Sequence, residues 1–176
     1  MKNKHSISLL SDCGIIELPR HRHENGSLSV VENSAQFPFE IKRVFYLYDV
    51  PGDSERGGHS HHEGEELIIA ASGSFDVTLT DGHQSHTFNL NRPYRALYIP
   101  AGVWRSIDNF SSGSVCLVLT SEKYSEADYV RDFNQLKELT ASKEPRSSNN
   151  DSCTGVKSCD TFAPITNFLF CDHPCE

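Results

Sequence analysis

Short β-branched and aromatic segments follow one another from Ser27 to Thr120, with Gly, Pro and Asp between them. Segments at a spacing of roughly 8–12 residues are too short for long helices, and they point to a β-sandwich, jelly roll or barrel. Leu28, Val30 and Val31 predict one strand. Ile41, Val44, Phe45, Tyr46, Leu47 and Tyr48 predict a second, beyond Gln36-Phe37-Pro38. Glu65 to Ala71 is a further apolar run, ended by Ser72-Gly73. Phe75, Val77 and Leu79 alternate with Asp76, Thr78 and Thr80, the period of a strand with one face buried. Asp81-Gly82 reads as a hairpin turn. Strands over 86–90, 94–99 and 115–120 complete the series, whereas residues 1–24 carry only weak patterning.

The pattern changes after Lys123. Ser125 followed by Asp128 resembles an N-cap with an acid three residues on. Tyr129, Phe133, Leu136 and Thr140 then fall at helical spacing, which predicts one amphipathic helix of about four turns. From Ser142 to Ser152 no apolar residue occurs, so residues 141–176 are expected to be a flexible, disordered extension of a domain spanning 1–140. Cys153, Cys159, Cys171 and Cys175 crowd this tail without the paired spacing of a structural zinc site. Cys13 and Cys116 stand alone in the body, which fits a reducing compartment.

A chain of 176 residues is long enough for one domain with its own core. No apolar run approaches the roughly 20 residues that span a bilayer. The start of the chain lacks the apolar stretch of a secretory signal. A cytoplasmic protein with no membrane partner is expected. The net charge of −8 argues against a nucleic-acid partner, while a few arginines in one pocket still suffice for a phosphorylated ligand.

The richest stretch is Gly52–Gly73. His59 and His61 are two apart, so on a strand both imidazoles face one side. Glu66 follows five after His61 and Gly73 seven after Glu66. Two histidines and a carboxylate inside a barrel are one possible donor set for a divalent metal. The spacing resembles the first motif of the cupins. The second cupin motif ends in histidine, but here Pro100-Ala101-Gly102-Val103-Trp104 leads to Arg105, with Asn109 beyond. A guanidinium cannot ligate a cation and repels one nearby. Imidazoles near neutral pH are also suited to moving protons. Arg43, Arg56, Arg92, Arg95 and Arg105 sit in or beside predicted strands, where their forks match phosphate oxygens.

Four ordered segments carry a more specific resemblance. They are Asn25-Gly26-Ser27-Leu28, the run from Phe37 to Tyr46, Arg56-Gly57-Gly58-His59-Ser60-His61, and the run from Ser121 to Phe133 with its Asp128-Tyr129-Val130-Arg131. Together they are similar to the nucleotide-sugar 3,4-ketoisomerases, the WxcM-like or FdtA-like cupins, over roughly residues 15–140. The resemblance implies an all-β cupin jelly roll, a double-stranded β-helix, that forms a homodimer. It implies a dTDP-linked 4-keto-6-deoxyhexose substrate whose carbonyl moves from C4 to C3 through an enediol, without cofactor or metal. It assigns proton transfer to His59 and His61, the first as base and the second orienting it or handling the oxygens. Arg43, Tyr46, Arg56, Glu66, Tyr98, Trp104 and Arg105 are the candidate substrate-binding residues. Asn25 and Arg105 depart from the arginine and histidine usual in the family. Glu66 and Arg105 are expected to form an ion pair across the barrel. His62, His83 and His86 are expected in solvent. Two other classes stay open: a metal-dependent cupin enzyme such as a dioxygenase or sugar isomerase, and a non-catalytic nucleotide-sugar-binding cupin.

Overall fold

A computed structural model of the protein describes residues 10–33 and 36–141, which all belong to one unit, Met1–Glu144. The tail expected from residue 141 onward, with its four cysteines, lies outside the described residues except for Ala141. The strands are β1 (Gly14–Glu17), β2 (Arg20–His23), β3 (Gly26–Ser29), β4 (Arg43–Leu47), β5 (Arg56–His61), β6 (Glu66–Ser72), β7 (Phe75–Thr80), β8 (Ser85–Leu90), β9 (Arg95–Ile99), β10 (Trp104–Asp108), β11 (Val115–Thr120) and β12 (Tyr129–Val130). The α-helix, α1, is Phe133–Ala141. Every strand pairing is antiparallel, as a jelly roll requires.

Two five-stranded sheets, in the orders β1-β9-β6-β11-β4 and β12-β5-β10-β7-β8, enclose the main core. On β7 the expected alternation is complete. Phe75, Val77 and Leu79 have no exposed surface, while Thr78 bonds Thr87 and Asp76 accepts from Asn89 on the outer face. Burying each such side chain contributes about 1.5–3 kcal/mol. From Glu66 to Ala70, β6 is buried on both faces, which is why it reads as a continuous apolar run. Its inner residues Ile68 and Ala70 join the main core. Its outer residues Leu67 and Ile69 join a second cluster with Leu18, Phe37, Ala96 and Leu119, covered by Ile16, Val31, Phe39 and Ile41.

Three features differ from expectation. The weakly patterned N-terminal stretch supplies β1, which pairs with β9, and β2, which pairs with β3. The hairpin after β7 pairs Thr80 with Ser85 and so has a four-residue loop. Asp81 organises it by accepting from the His83 and Gln84 amides. The C-terminal helix is shorter than the four turns expected and begins only at Phe133. Ser125 makes no side-chain cap, residues 126–128 form a single 3-10 turn, and Tyr129 and Val130 pair with His61 and Ser60. Tertiary pairing overrides the local helical spacing. Asp132 takes the capping role instead, accepting from the Asn134 amide. Among the described residues no helix is long and apolar enough to cross a membrane.

Candidate active site

The site lies on the inner face where β5, β6, β10 and β12 converge. Cross-strand register puts Arg105 directly opposite His59, and paired residues in an antiparallel ladder share a face. The two-residue spacing puts His61 on that face as well. Between Gly57 and His59 the register shifts in a β-bulge. Gly57 has a φ of 84° and Gly58 of 66°. A Cβ on Gly57 would lie 2.9 Å from the Arg105 carbonyl oxygen. These glycines are therefore what lets β5 kink against β10. The bulge also returns Arg56 to the face of His59, opposite Ile107, where it is exposed.

Four charged or titratable groups form a continuous buried chain. Arg105 Nε donates to Glu66 Oε2 at 2.8 Å. Glu66 Oε1 lies 3.1 Å from His61 Nε2. His61 Nδ1 in turn lies 2.8 Å from Asp128 Oδ2, an ion-pair contact. Arg105 is further tied to the carbonyls of His59 and Val103. The Gly102 amide donates to the His61 carbonyl, which fastens the Pro100–Gly102 turn to β5. Burial alone would raise the Glu66 carboxyl, but the Arg105 guanidinium and His61 outweigh it and hold it down at about 2. Burial and the Arg105 charge, only partly opposed by the Gly57 backbone and Glu66, push His59 down to about 4. His59 is therefore an uncharged imidazole at neutral pH, next to a ring that is bracketed by carboxylates.

Aromatic contacts wall the pair. The His59 and His61 rings meet edge-on at 5.1 Å between centroids. The Tyr129 ring sits 4.9 Å from His59 and 4.4 Å from His61. Arg43 reaches the Tyr129 hydroxyl and lies over the Tyr124 ring. Arg131, paired with Glu126, lies over the Tyr129 ring.

Of the predicted residues, the structure gathers His59, His61, Glu66, Arg105 and Arg43, with Arg56 at the rim. Three stand elsewhere. Tyr46 is on the outward face of β4 and 60% exposed. Tyr98 belongs to the outer cluster of the first sheet, beside Phe39, and its hydroxyl donates to Glu65. Trp104 alternates with Arg105, so it faces outward and meets Phe133 of α1 edge-on at 5.2 Å. His62, His83 and His86 are exposed, as expected. Asp128 and Tyr129 were missed as site residues. The signal for them was the Asp-Tyr-Val-Arg run itself, placed on a helix instead of against β5.

His59, His61 and Glu66 offer donor atoms within 4.8 Å of one another. Two of these donors are already engaged: Glu66 by Arg105 and His61, and His61 Nε2 by Glu66. A cation would have to displace Arg105 from its partner and would then face an uncompensated guanidinium. The set fits an internal ion chain better than a metal.

The FdtA family, described as WxcM-like, C-terminal, matches residues 11–141. The chain is 35% identical over 127 residues to the TDP-4-oxo-6-deoxy-alpha-D-glucose-3,4-oxoisomerase of Aneurinibacillus thermoaerophilus, covering 72% of this chain and 91% of that one. A solved 3,4-ketoisomerase from Helicobacter canadensis is 38% identical with a TM-score of 0.72, covering 74% of this chain and 98% of its own. A variant of the 3,4-ketoisomerase QdtA from Thermoanaerobacterium thermosaccharolyticum, in complex with TDP-4-keto-6-deoxyglucose, is 32% identical with a TM-score of 0.74, covering 77% and 98%.

Proposed function

The chain belongs to the FdtA family of WxcM-like proteins, and from that premise we propose that it is a sugar-nucleotide 3,4-ketoisomerase that moves the carbonyl of dTDP-4-keto-6-deoxyglucose from C4 to C3. Such a sugar enters deoxy-amino-sugar biosynthesis. The reaction is redox-neutral within one molecule. A base takes the proton from C3 while O4 gains a proton, giving the enediol; O3 then gives up its hydroxyl proton as C3 becomes the ketone and a proton returns to C4, so one proton passes from C3 to C4 and one from O3 to O4. One imidazole, His59, is enough for the carbon-bound proton, and His61 beside it handles the proton that passes between the oxygens; neither transfer needs a cofactor.

One observation carries the reading: His59 is half-buried directly opposite Arg105 and edge-on to His61, beside the Arg105–Glu66 pair, where burial and the Arg105 charge keep it uncharged at neutral pH. It is the base. Negative charge that develops on the enediol oxygens meets His61 and the donors around it, and such preorganised charge is a large part of catalysis in a water-poor site. Arg43 and Arg56 take the anionic handle of the substrate, with Glu66 and Arg105 behind the histidines. Tyr46, with Val44 and Tyr48, is more than half exposed, and the two tyrosine rings lie 5.6 Å apart. A patch of this kind on an otherwise acidic surface supports a homodimer. The activity belongs to residues 1–140 and not to the tail, and the enzyme works in the cytoplasm on a water-borne substrate.

The test is NMR of dTDP-4-keto-6-deoxyglucose in D₂O with EDTA-treated protein, beside a His59→Asn variant. Deuterium at C3 or C4 with a 3-keto product, lost in the variant, is the expected result. No exchange by the wild type overturns the reading. Exchange restored only by added divalent metal would favour a metal-dependent cupin enzyme, and substrate binding without exchange would favour a binding module.

A further inference from the structure

Tyr124 lies in the connection between β11 and β12, and its side chain is 64% exposed. Core packing does not hold a tyrosine there, yet its ring is fixed. The hydroxyl donates to Glu126 Oε2 at 2.7 Å. Glu126 is in turn gripped by Arg131, whose Nε donates at 2.7 Å and Nη2 at 3.1 Å. Arg131 also lies over the Tyr129 ring at 4.6 Å, and the Tyr124 and Tyr129 rings are 5.7 Å apart. Exposed ion pairs contribute little to stability. Fixing a ring in advance does lower the cost of binding a flat group to it.

The arrangement continues inward to the histidines. Arg43 has its guanidinium carbon 5.6 Å from the Tyr124 ring and 5.1 Å from the Phe45 ring. Its Nη2 donates to the Tyr129 hydroxyl at 3.4 Å, while its Nε has no hydrogen-bond partner among the described residues. A guanidinium has five donors, so this one keeps capacity for an anion. The Tyr129 ring then touches His59 at 4.9 Å. An exposed aromatic face, a guanidinium and a base therefore follow one another. A nucleotide sugar presents a planar base, a diphosphate and a hexose in the same order.

We propose that Tyr124 is a nucleobase-binding residue: the base of the substrate stacks on its exposed ring, Arg43 beside it takes the diphosphate, and the hexose reaches His59. This deepens the ketoisomerase reading and rests on it for the identity of the ligand. Every base has a π-face, so stacking supplies affinity and little discrimination between bases. The ring is remote from the reacting carbons, so its contribution belongs to binding that ground state and transition state share.

The test compares Tyr124→Ala, which removes the ring, with Tyr124→Phe, which keeps the ring and removes only its bond to Glu126. Calorimetric titration of the full-length protein with TDP reads the affinity. Tyr124→Ala binds about 5- to 150-fold more weakly, the usual range for losing one base–aromatic stack, and Tyr124→Phe loses clearly less. Proton NMR of TDP reads the contact itself: the thymine H6 and methyl signals move upfield on binding to the wild type and to Tyr124→Phe, and this ring-current shift is lost in Tyr124→Ala. With dTDP-4-keto-6-deoxyglucose the loss appears in KM, while kcat changes far less. An alanine variant that binds TDP as the wild type does overturns the proposal. So do thymine signals that the wild type leaves unmoved, or a phenylalanine variant as weak as the alanine one, which would place the effect in the Glu126 bond. A wild type that binds TDP through Tyr124 but turns nothing over defeats the ketoisomerase reading instead and leaves the stacking residue assigned.

Discussion

The inner face of the barrel holds two chemistries on the same strands. Along β6 the inward residues run from Glu66 to Ile68 and Ala70, and along β10 from Arg105 to Ile107. Two residues separate an ionised side chain from a fully apolar one. The apolar part, around Phe75, Val77, Leu79 and Leu90, is stabilised by every atom it buries. The charged part is costly to desolvate and holds because Arg105 pairs with Glu66 at 2.8 Å and His61 lies within hydrogen-bond distance of the same carboxylate. The first makes the fold stable, and the second is where the proposed chemistry would take place. Damage to each should have a different signature.

The largest expected effect is His59→Asn. Turnover should fall by about 10²- to 10⁴-fold, the usual contribution of general acid–base catalysis, with the melting temperature nearly unchanged. A variant that unfolds instead would show that the charged part also carries the fold. Phe75→Ala should do the opposite. Denaturant titration should show a loss of about 3–5 kcal/mol, while the turnover of the molecules that remain folded stays normal. Arg105→Met sits between them, because it strands Glu66 in the interior. A stability loss approaching 3–5 kcal/mol is expected for breaking a buried pair, together with reduced turnover. A neutral result for both would dissolve the distinction between the two parts.

The smallest effect is the response to acid, and it belongs to the charged part alone. His59 is near 4 when folded against an ordinary 6.5, so as pH falls through that window the unfolded chain takes up the proton first and stability is lost. Glu66 is near 2 against 4.5, so its stabilisation is present above 4.5 and is lost as pH falls toward 2. Denaturant midpoints measured at stepped pH should decline in these two successive windows. The acid limb of turnover should lie near pH 4. A limb at 6.5 would mean that His59 is not held neutral.

Much of this was legible in the residues. β7 showed itself by strict alternation, because one of its faces is in water. The shared side of His59 and His61 followed from their spacing, and the Glu66–Arg105 pair from the arginine that ends the second cupin motif. Tyr98 and Trp104 lie on β9 and β10 but face outward. Strand membership is written in composition, whereas facing depends on register, which a bulge or a turn resets. β2 exposes all four of its side chains, so it leaves no apolar pattern to find. Residues 125–130 misled for a different reason. Tyr129, Phe133 and Leu136 do have helical spacing, yet the backbone of Tyr129 and Val130 is satisfied by β5, and no local signal records a partner so distant in the chain.

That distance has a consequence for how the protein is made. His61 precedes Asp128 by 67 positions. During synthesis the histidines and Glu66 leave the ribosome well before the two-residue strand that closes over them. Contacts between remote segments form late and slowly. Until residue 128 arrives, the nascent chain has both histidines, Glu66 and Arg105, but not the aspartate that lies 2.8 Å from His61 Nδ1. The site is therefore complete only once β12 has docked on the edge of β5.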